Sequence, residues 1–298
     1  MKDFFGFGTG EYEFGRPADG AYSWQHLLMV SIFVVLGVAL AIFLGIKNKN
    51  KDEKTKNKVL IWAAILIDAF EIAKIIIGSV DNPSYWQVSL PLFLCSIQLI
   101  TIPLAAFCKG RAKEASLDFV LIFGLLGGIL GTVGATQNYN AYPAFSWPNF
   151  VSATTHTISA FAALYIAISG LTSLKKKNLW ISYAILFGFG IAAYVANIIL
   201  DYNYMFLMNH DGTPYMYLYN IVKGNKVLYP MCVMLLFVVY MFFFYFIYWK
   251  IQAKKKLNKY DYKGIWKICL FFTLWKSFKY ILICYWDFFI DVIKYWYR

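Results

Sequence analysis

Cys95 is the side chain of this sequence with the strongest potential for nucleophilic chemistry. It ends the hexapeptide Leu90–Cys95 (LPLFLC), which lies a few residues into an apolar segment. The thiolate is the nucleophilic form of cysteine, and apolar surroundings disfavour it. A reactive Cys95 therefore needs a neighbouring base such as histidine. The structural alternative is that Cys95 is a small apolar filler.

His156 is one histidine near enough in depth to be considered. It lies near the start of a later apolar segment, and His26 and His210 are also expected on the outer side or in the outer leaflet. A histidine inside a membrane protein can also be a hydrogen-bonded interior residue with no chemical role.

Other polar side chains are predicted to support the same site. Gln98 follows Cys95 by about one helical turn, and Glu71 could orient a histidine as the acid of a triad does. Glu71 has a structural alternative, which is an ion pair with Lys74 on the same helix. Supporting or ligand-binding roles are also predicted for His26, Asn197, Asn203 and Tyr204.

The composition indicates a membrane protein. Hydrophobic residues make up 60% of the 298 residues, aromatic residues 20% and charged residues only 15%. The net charge of +12 is spread over short basic runs between apolar blocks, so no nucleic-acid partner is expected. The five cysteines show no metal-ligand spacing, and no metal or cofactor is predicted.

Seven apolar blocks are long enough to cross roughly 30 Å of hydrocarbon as helices. They cover approximately residues 27–46, 59–78, 88–107, 117–136, 151–172, 180–200 and 228–249. Lysine-rich and lysine-poor loops alternate between them, which places the N-terminus outside and the C-terminus inside. The predicted fold is an all-α, polytopic membrane bundle of seven transmembrane helices.

This orientation converts sequence position into depth, at about 1.5 Å per residue. Cys95 is then expected roughly 10 Å below the outer boundary. His156 is expected at a similar or slightly shallower level, in the same outer leaflet.

Three regions follow from these assignments. Residues 1–26 are predicted to be an extracellular segment, 27–249 the transmembrane domain, and 250–298 a basic linker with an amphipathic helix. The charged residues of 264–298 share about a third of a helical wheel, which is typical of a helix in the cytoplasmic membrane interface. An eighth span, with the C-terminus outside, is the alternative.

A stripe of glycines marks the fourth predicted span. Small residues allow helices to approach closely in lipid, and this is the favoured interpretation. Close approach of the backbone to a ligand is the alternative. The stripe consists of Gly124, Gly127, Gly128, Gly131 and Gly134.

Leu90–Cys95 resembles the LPLxLC signature of the YwaF/TMEM164 family of integral membrane proteins. Asn203–Leu207 (NYMFL) resembles a second signature, and the positions of His26 and His156 also match in order. The resemblance covers about residues 24–249.

The resemblance implies a phospholipid acyltransferase with Cys95 as nucleophile and His156 as base, acting on membrane lipid. A solute-binding subunit of a transporter stays open as an alternative, and helix breaks at Pro91 or Pro103 would favour it. In that case the C-terminal helix would dock a cytoplasmic partner. A third alternative is a non-catalytic membrane assembly protein.

Overall fold

The computed structural model describes residues 2–7, 18–134, 136–172 and 174–257, which form helices and loops with no β-strand among them. The α-helices are α1 (Lys2–Phe5), α2 (Trp24–Asn48), α3 (Glu53–Asp81), α4 (Tyr85–Val88), α5 (Gln98–Phe107), α6 (Gly110–Phe119), α7 (Leu125–Val133), α8 (Thr136–Ala141), α9 (Trp147–Ser169), α10 (Leu179–Leu200), α11 (Met216–Ile221) and α12 (Leu228–Leu257). A π-helical turn, Val120–Gly124, joins α6 to α7, and 3₁₀ turns cover Lys176–Asn178 and Tyr204–Phe206. The predicted all-α class is confirmed.

Five helical stretches are long and apolar enough to cross a membrane. They are Trp24–Asn48, Gly110–Thr132, Trp147–Ser169, Lys176–Leu200 and Leu228–Lys250. Helix α3 has sufficient length, with 29 residues, but its apolar part carries Asp68, Glu71 and Lys74. The seven-span count and the orientation therefore stay predictions.

Helix α9 is the centre of the bundle. It packs against α2, α3, α7 and the π-helical turn. The apolar windows of α9 and of Gly110–Thr132 are 67% and 72% buried inside the protein, against 17% for α2. Because most of the α9 surface is covered by other helices, α9 can carry a polar side chain such as His156 facing protein and not lipid.

The continuous helix predicted over 88–107 is not formed. Helix α4 ends at Val88 and α5 begins only at Gln98. Pro91 lies in this gap. Proline lacks an N–H group and disfavours helical backbone at the preceding residue, so the chain turns irregularly. Pro103, by contrast, lies inside α5.

The π-helical turn Val120–Gly124 changes the direction of the side chains that follow it. A π turn closes a wider ring than an α turn and occurs mostly as a single turn within an α-helix. The Tyr240 hydroxyl donates a hydrogen bond to the Ile122 carbonyl oxygen within the turn, at 3.1 Å. The turn separates Asp118 from the glycines of α7.

Two predicted regions fall partly or wholly beyond the described residues. The amphipathic helix predicted within 264–298 lies outside them, as do residues 8–17 of the predicted extracellular segment. Helix α12 continues to Leu257, beyond the predicted boundary at 249.

Candidate functional site

Cys95 lies in the irregular segment Ser89–Ile97, directly before the first turn of α5. The Gln98 N–H donates to the Cys95 carbonyl oxygen at 3.3 Å, which starts the helix. The backbone N–H groups of Cys95 and Ser96 lie against the Cys95 sulfur. N–H groups directed at a sulfur atom favour its negatively charged form.

His156 lies near Cys95, and the two side chains interact electrostatically. The other side of the imidazole is fixed by the preceding turn of α9, where His156 Nδ1 lies 2.7 Å from the Ser152 carbonyl oxygen. A carbonyl can only accept, so Nδ1 carries the proton and Nε2 is left to accept from the Cys95 thiol. This is the geometry of a nucleophile with its base.

Two glycines of α7 make room for this pair. A Cβ on Gly127 would lie 3.1 Å from Cys95 Cα and 3.2 Å from Cys95 Cβ. A Cβ on Gly131 would overlap the His156 ring. The glycine stripe therefore allows close packing, as predicted, and the groups packed against it include the two candidate catalytic residues.

Gln98 is packed against the same stripe, one turn beyond Cys95. Its side chain is fully buried, and its Oε1 accepts from the Thr101 hydroxyl at 3.1 Å. A Cβ on Gly124 would lie 3.5 Å from Gln98 Oε1. Gln98 Nε2 has no hydrogen-bond partner among the described residues.

The NYMFL segment holds the Cys95 segment in place through aromatic contacts. The Phe93 ring lies 6.2 Å from that of Tyr202, 5.2 Å from that of Tyr204 and 5.9 Å from that of Phe206. The Tyr204 hydroxyl also donates to the Gln87 carbonyl oxygen. The segments Leu90–Cys95 and Asn203–Leu207 are thus packed against each other, and Tyr204 contacts the chain that leads to Cys95.

Asn197 and Asn203 are occupied by the backbone of this loop. Asn197 Oδ1 accepts from the Tyr204 N–H at 2.6 Å, and its Nδ2 donates to the Tyr204 carbonyl oxygen at 3.0 Å. Asn203 donates to the Asn209 carbonyl oxygen at 2.8 Å and to Asp211 at 2.6 Å. These bonds shape the turn after α10.

His26 has hydrogen-bond partners of its own at the start of α2 and the end of α7. Its Nδ1 accepts from the Tyr22 N–H at 2.9 Å, so Nε2 carries the proton and faces the Thr132 carbonyl oxygen at 3.3 Å. The buried ring stacks on Tyr139, with 3.6 Å between the ring centroids. His26 thus connects the start of α2 to the end of α7.

Glu71 pairs with Lys74 at 2.6 Å, which is the structural alternative given above. The Ser152 carbonyl occupies the His156 nitrogen that a triad acid would bind. The structure therefore places Glu71 in an ion pair and gives the orienting position to a backbone group.

Two residues beside Cys95 and His156 were not predicted from the sequence, namely Ser152 and Tyr215. Ser152 precedes His156 by four residues, a spacing that brings its carbonyl beneath the imidazole in a helix, so the signal was present. Tyr215 had no local signal. Burial, and next the nearby Cys95, raises the pKa of Tyr215 to about 12, which keeps the phenol protonated at neutral pH.

An open groove of about 420 Å³ begins beside Phe93, two residues before Cys95. Its lining is aromatic and polar: Phe93, Asp201, Tyr202, Asn203, Phe206, Asn209 and Asp211. Across the described residues, no three His, Cys, Asp or Glu side chains group as a metal site requires. The site therefore consists of a thiol, an imidazole and amide groups.

The sequence profile of the TMEM164 family matches residues 21–222. The chain belongs to the TMEM164 family. The match includes Cys95, Gln98, His156 and Asn203–Leu207, and it ends before α12. No curated protein and no solved structure has significant similarity to the chain.

Proposed function

We propose that the protein is a seven-span protein of the cell membrane that transfers acyl groups between lipids, with Cys95 as nucleophile and His156 as base. The observation that carries the proposal is the placement of Cys95 and His156 side by side against Gly127 and Gly131 of α7, with the imidazole held in one tautomer by Ser152. The N-terminus would lie outside and the site would be in the outer leaflet.

The reaction would have two steps. His156 Nε2 takes the thiol proton, the Cys95 sulfur attacks the ester carbonyl carbon of a phospholipid, and the carbonyl electron pair moves to oxygen. The intermediate collapses with cleavage of the ester C–O bond, and the imidazolium gives its proton to the leaving hydroxyl. An acceptor lipid hydroxyl then attacks the thioester, gives its proton to His156 and releases the thiolate.

The surroundings of the pair support a lipid substrate. The five apolar stretches have lengths suited to a membrane, and the groove beside Phe93 opens next to the segment that carries Cys95. On this proposal a polar headgroup would lie in the aromatic and polar groove while its ester-linked chain extended toward the thiol.

A covalent acyl-enzyme is the product that tests this proposal. Membranes containing the protein would be incubated with a phospholipid that carries an alkyne-tagged acyl chain, and the labelled protein would be treated with hydroxylamine. We expect a hydroxylamine-sensitive adduct that is lost in Cys95→Ser and reduced about 10²–10⁴-fold in rate in His156→Gln.

Cys232→Ser is the matched control, because Cys232 is also a half-buried free cysteine but lies in α12. It should label as the wild type does. An adduct that survives Cys95→Ser, or the absence of any adduct on the wild type, would contradict the proposal.

A solute-binding subunit of a transporter is the second candidate, and the interruption between α4 and α5 favours it. Interrupted helices supply backbone groups to solute sites in membrane transporters. Uptake that persists in Cys95→Ala, together with co-purification of a cytoplasmic ATPase, would support this function over acyl transfer.

A further inference from the structure

We infer that Gln98 is a further catalytic residue, whose Nε2–H group stabilises the oxyanion formed when Cys95 attacks an acyl carbonyl. This inference rests on the proposed acyl transfer and adds to it the group that binds the reacting oxygen. Two observations support this role: Gln98 Nε2 has no hydrogen-bond partner among the described residues, and Gln98, Cys95 and His156 pack in order along the glycine stripe.

The first observation is that Gln98 Nε2 is buried without a partner. The side chain has no solvent exposure. Its Oε1 lies 3.1 Å from the Thr101 hydroxyl, whose single proton is shared with the Ile97 carbonyl oxygen at 3.2 Å. A buried N–H group that lacks an acceptor is suited to a ligand that supplies one.

The second observation is the order of three side chains along one helix. Gln98 lies against Gly124, Cys95 against Gly127 and His156 against Gly131. Those glycines span about 10 Å along the helix axis, at 1.5 Å per residue. The nucleophile is therefore flanked by the base on one side and by the amide on the other.

This order matches the requirements of acyl transfer. The base must lie on the side from which the thiol proton leaves, and an oxyanion donor must lie elsewhere around the attacked carbon. The N–H groups of Cys95 and Ser96 at the start of α5 lie against the sulfur. Gln98 is the first residue of α5, three residues after Cys95, so its Nε2 would supply a side-chain donor from the same turn of the chain.

The role of Gln98 changes during the step. As the Cys95 sulfur forms its bond to carbon, the carbonyl electron pair moves to oxygen, and Gln98 donates a hydrogen bond to that oxygen. When the ester or thioester bond breaks, the electron pair returns to the carbonyl. Gln98 neither gains nor loses a proton, so its contribution appears mainly in kcat.

Gln98→Met tests the inference, because methionine keeps the length and apolar volume of the side chain and removes both N–H donors. We expect kcat for acyl transfer to fall about 10²–10³-fold, with KM changed little. Thr101→Val would release Oε1 and should cost less, since Nε2 is kept but less well positioned.

The matched control is Gln87→Met, which makes the same substitution in the nearby helix α4, where the protein uses the residue through its backbone carbonyl. It should keep wild-type kcat. A Gln98→Met variant that folds and retains kcat within threefold of wild type would overturn the inference.

A binding measurement separates this inference from the acyl-transfer proposal. A long-chain alkyl trifluoromethyl ketone forms a tetrahedral adduct with a cysteine, and the oxygen of that adduct carries the negative charge. Its dissociation constant can be measured by fluorine NMR without turnover, and Gln98→Met should raise it at least tenfold, equivalent to about 1.4 kcal/mol.

Each outcome of that measurement decides one question. Weaker ketone binding in Gln98→Met supports the donor even if the wild type transfers no acyl group, in which case only the proposed reaction fails. Equal ketone binding in the two proteins, or no binding to the wild type, overturns the donor role of Gln98.

Discussion

Two buried polar clusters flank the π-helical turn Val120–Gly124, and they differ in the groups left unpaired. On the α6 side, the fully buried Asp118 carboxylate accepts hydrogen bonds from Thr172, from Asn178 at 3.0 Å and from Tyr245 at 3.1 Å. On the α7 side lie Cys95, His156 and Gln98.

The unpaired atoms of the two clusters have opposite character. Near Asp118 the atom without a partner is an acceptor, Asn178 Oδ1, whereas near Cys95 it is a donor, Gln98 Nε2. A carboxylate with three donors is satisfied within the protein and links several elements. A free donor beside a thiol is instead suited to a reacting oxygen. The Asp118 cluster therefore has the features of a structural site, and the Cys95 cluster those of a reactive site.

Asp118→Ala should give the largest loss of stability and so provides the strongest test of this contrast. It leaves three donors without their acceptor, and each of the two buried ones, from Asn178 and Tyr245, costs about 1–3 kcal/mol. We expect a loss of about 3 kcal/mol or more in the free energy of unfolding, measured by denaturation in detergent micelles. Asp118→Asn, which keeps an acceptor, should cost less. An unchanged unfolding midpoint for Asp118→Ala would refute a structural role.

Gly131→Ala should have an intermediate effect on stability and a large effect on reactivity. The added methyl group overlaps the His156 ring and must displace it or α7, which costs about 1–3 kcal/mol. Alkylation of Cys95 by a small thiol reagent should slow as the imidazole moves.

Gly188→Ala is the control for this substitution, because a Cβ at Gly188 meets no atom within 4 Å. It should leave Cys95 reactivity unchanged and can stabilise α10 by up to about 1 kcal/mol. Equal behaviour of the two alanine variants would show that Gly131 is not needed for the site.

Gln98→Met should have the smallest effect on stability. It removes a donor that has no partner and conserves volume, so we expect a change below about 1.5 kcal/mol. A stable protein with reduced acyl transfer would sharpen the distinction between the two clusters. Destabilisation by more than about 2 kcal/mol would instead assign Gln98 a structural hydrogen bond.

The long helices were the most predictable part of the fold. The blocks 27–46, 151–172 and 180–200 correspond to α2, α9 and α10 with ends shifted by a few residues. Their prediction needs only apolar length, which is local information. The prediction of a continuous helix over 88–107 was wrong, because it relied on apolar composition and gave too little weight to Pro91, which disfavours helical backbone.

The candidate site stays a prediction, but the sequence placed some of its residues at one level without fixing their contacts. The depth argument put Cys95 and His156 at a similar level, and in the structure they pack against neighbouring glycines of α7. The same depth argument also included Glu71 and Asn203, which the structure pairs with Lys74 and with the loop backbone. Sequence position fixes how deep along the helix axis a residue lies. Which neighbouring helix its side chain faces depends on how the helices pack.

The sequence by itself determined the all-helical class with long apolar helices and the family, because residue type and apolar length act locally. Tertiary structure decided which His156 nitrogen faces the thiol, which glycines admit the pair and which amide is left unpaired. Those features depend on how α5, α7 and α9 pack, and a single free hydrogen-bonding group distinguishes a reactive position from a structural one.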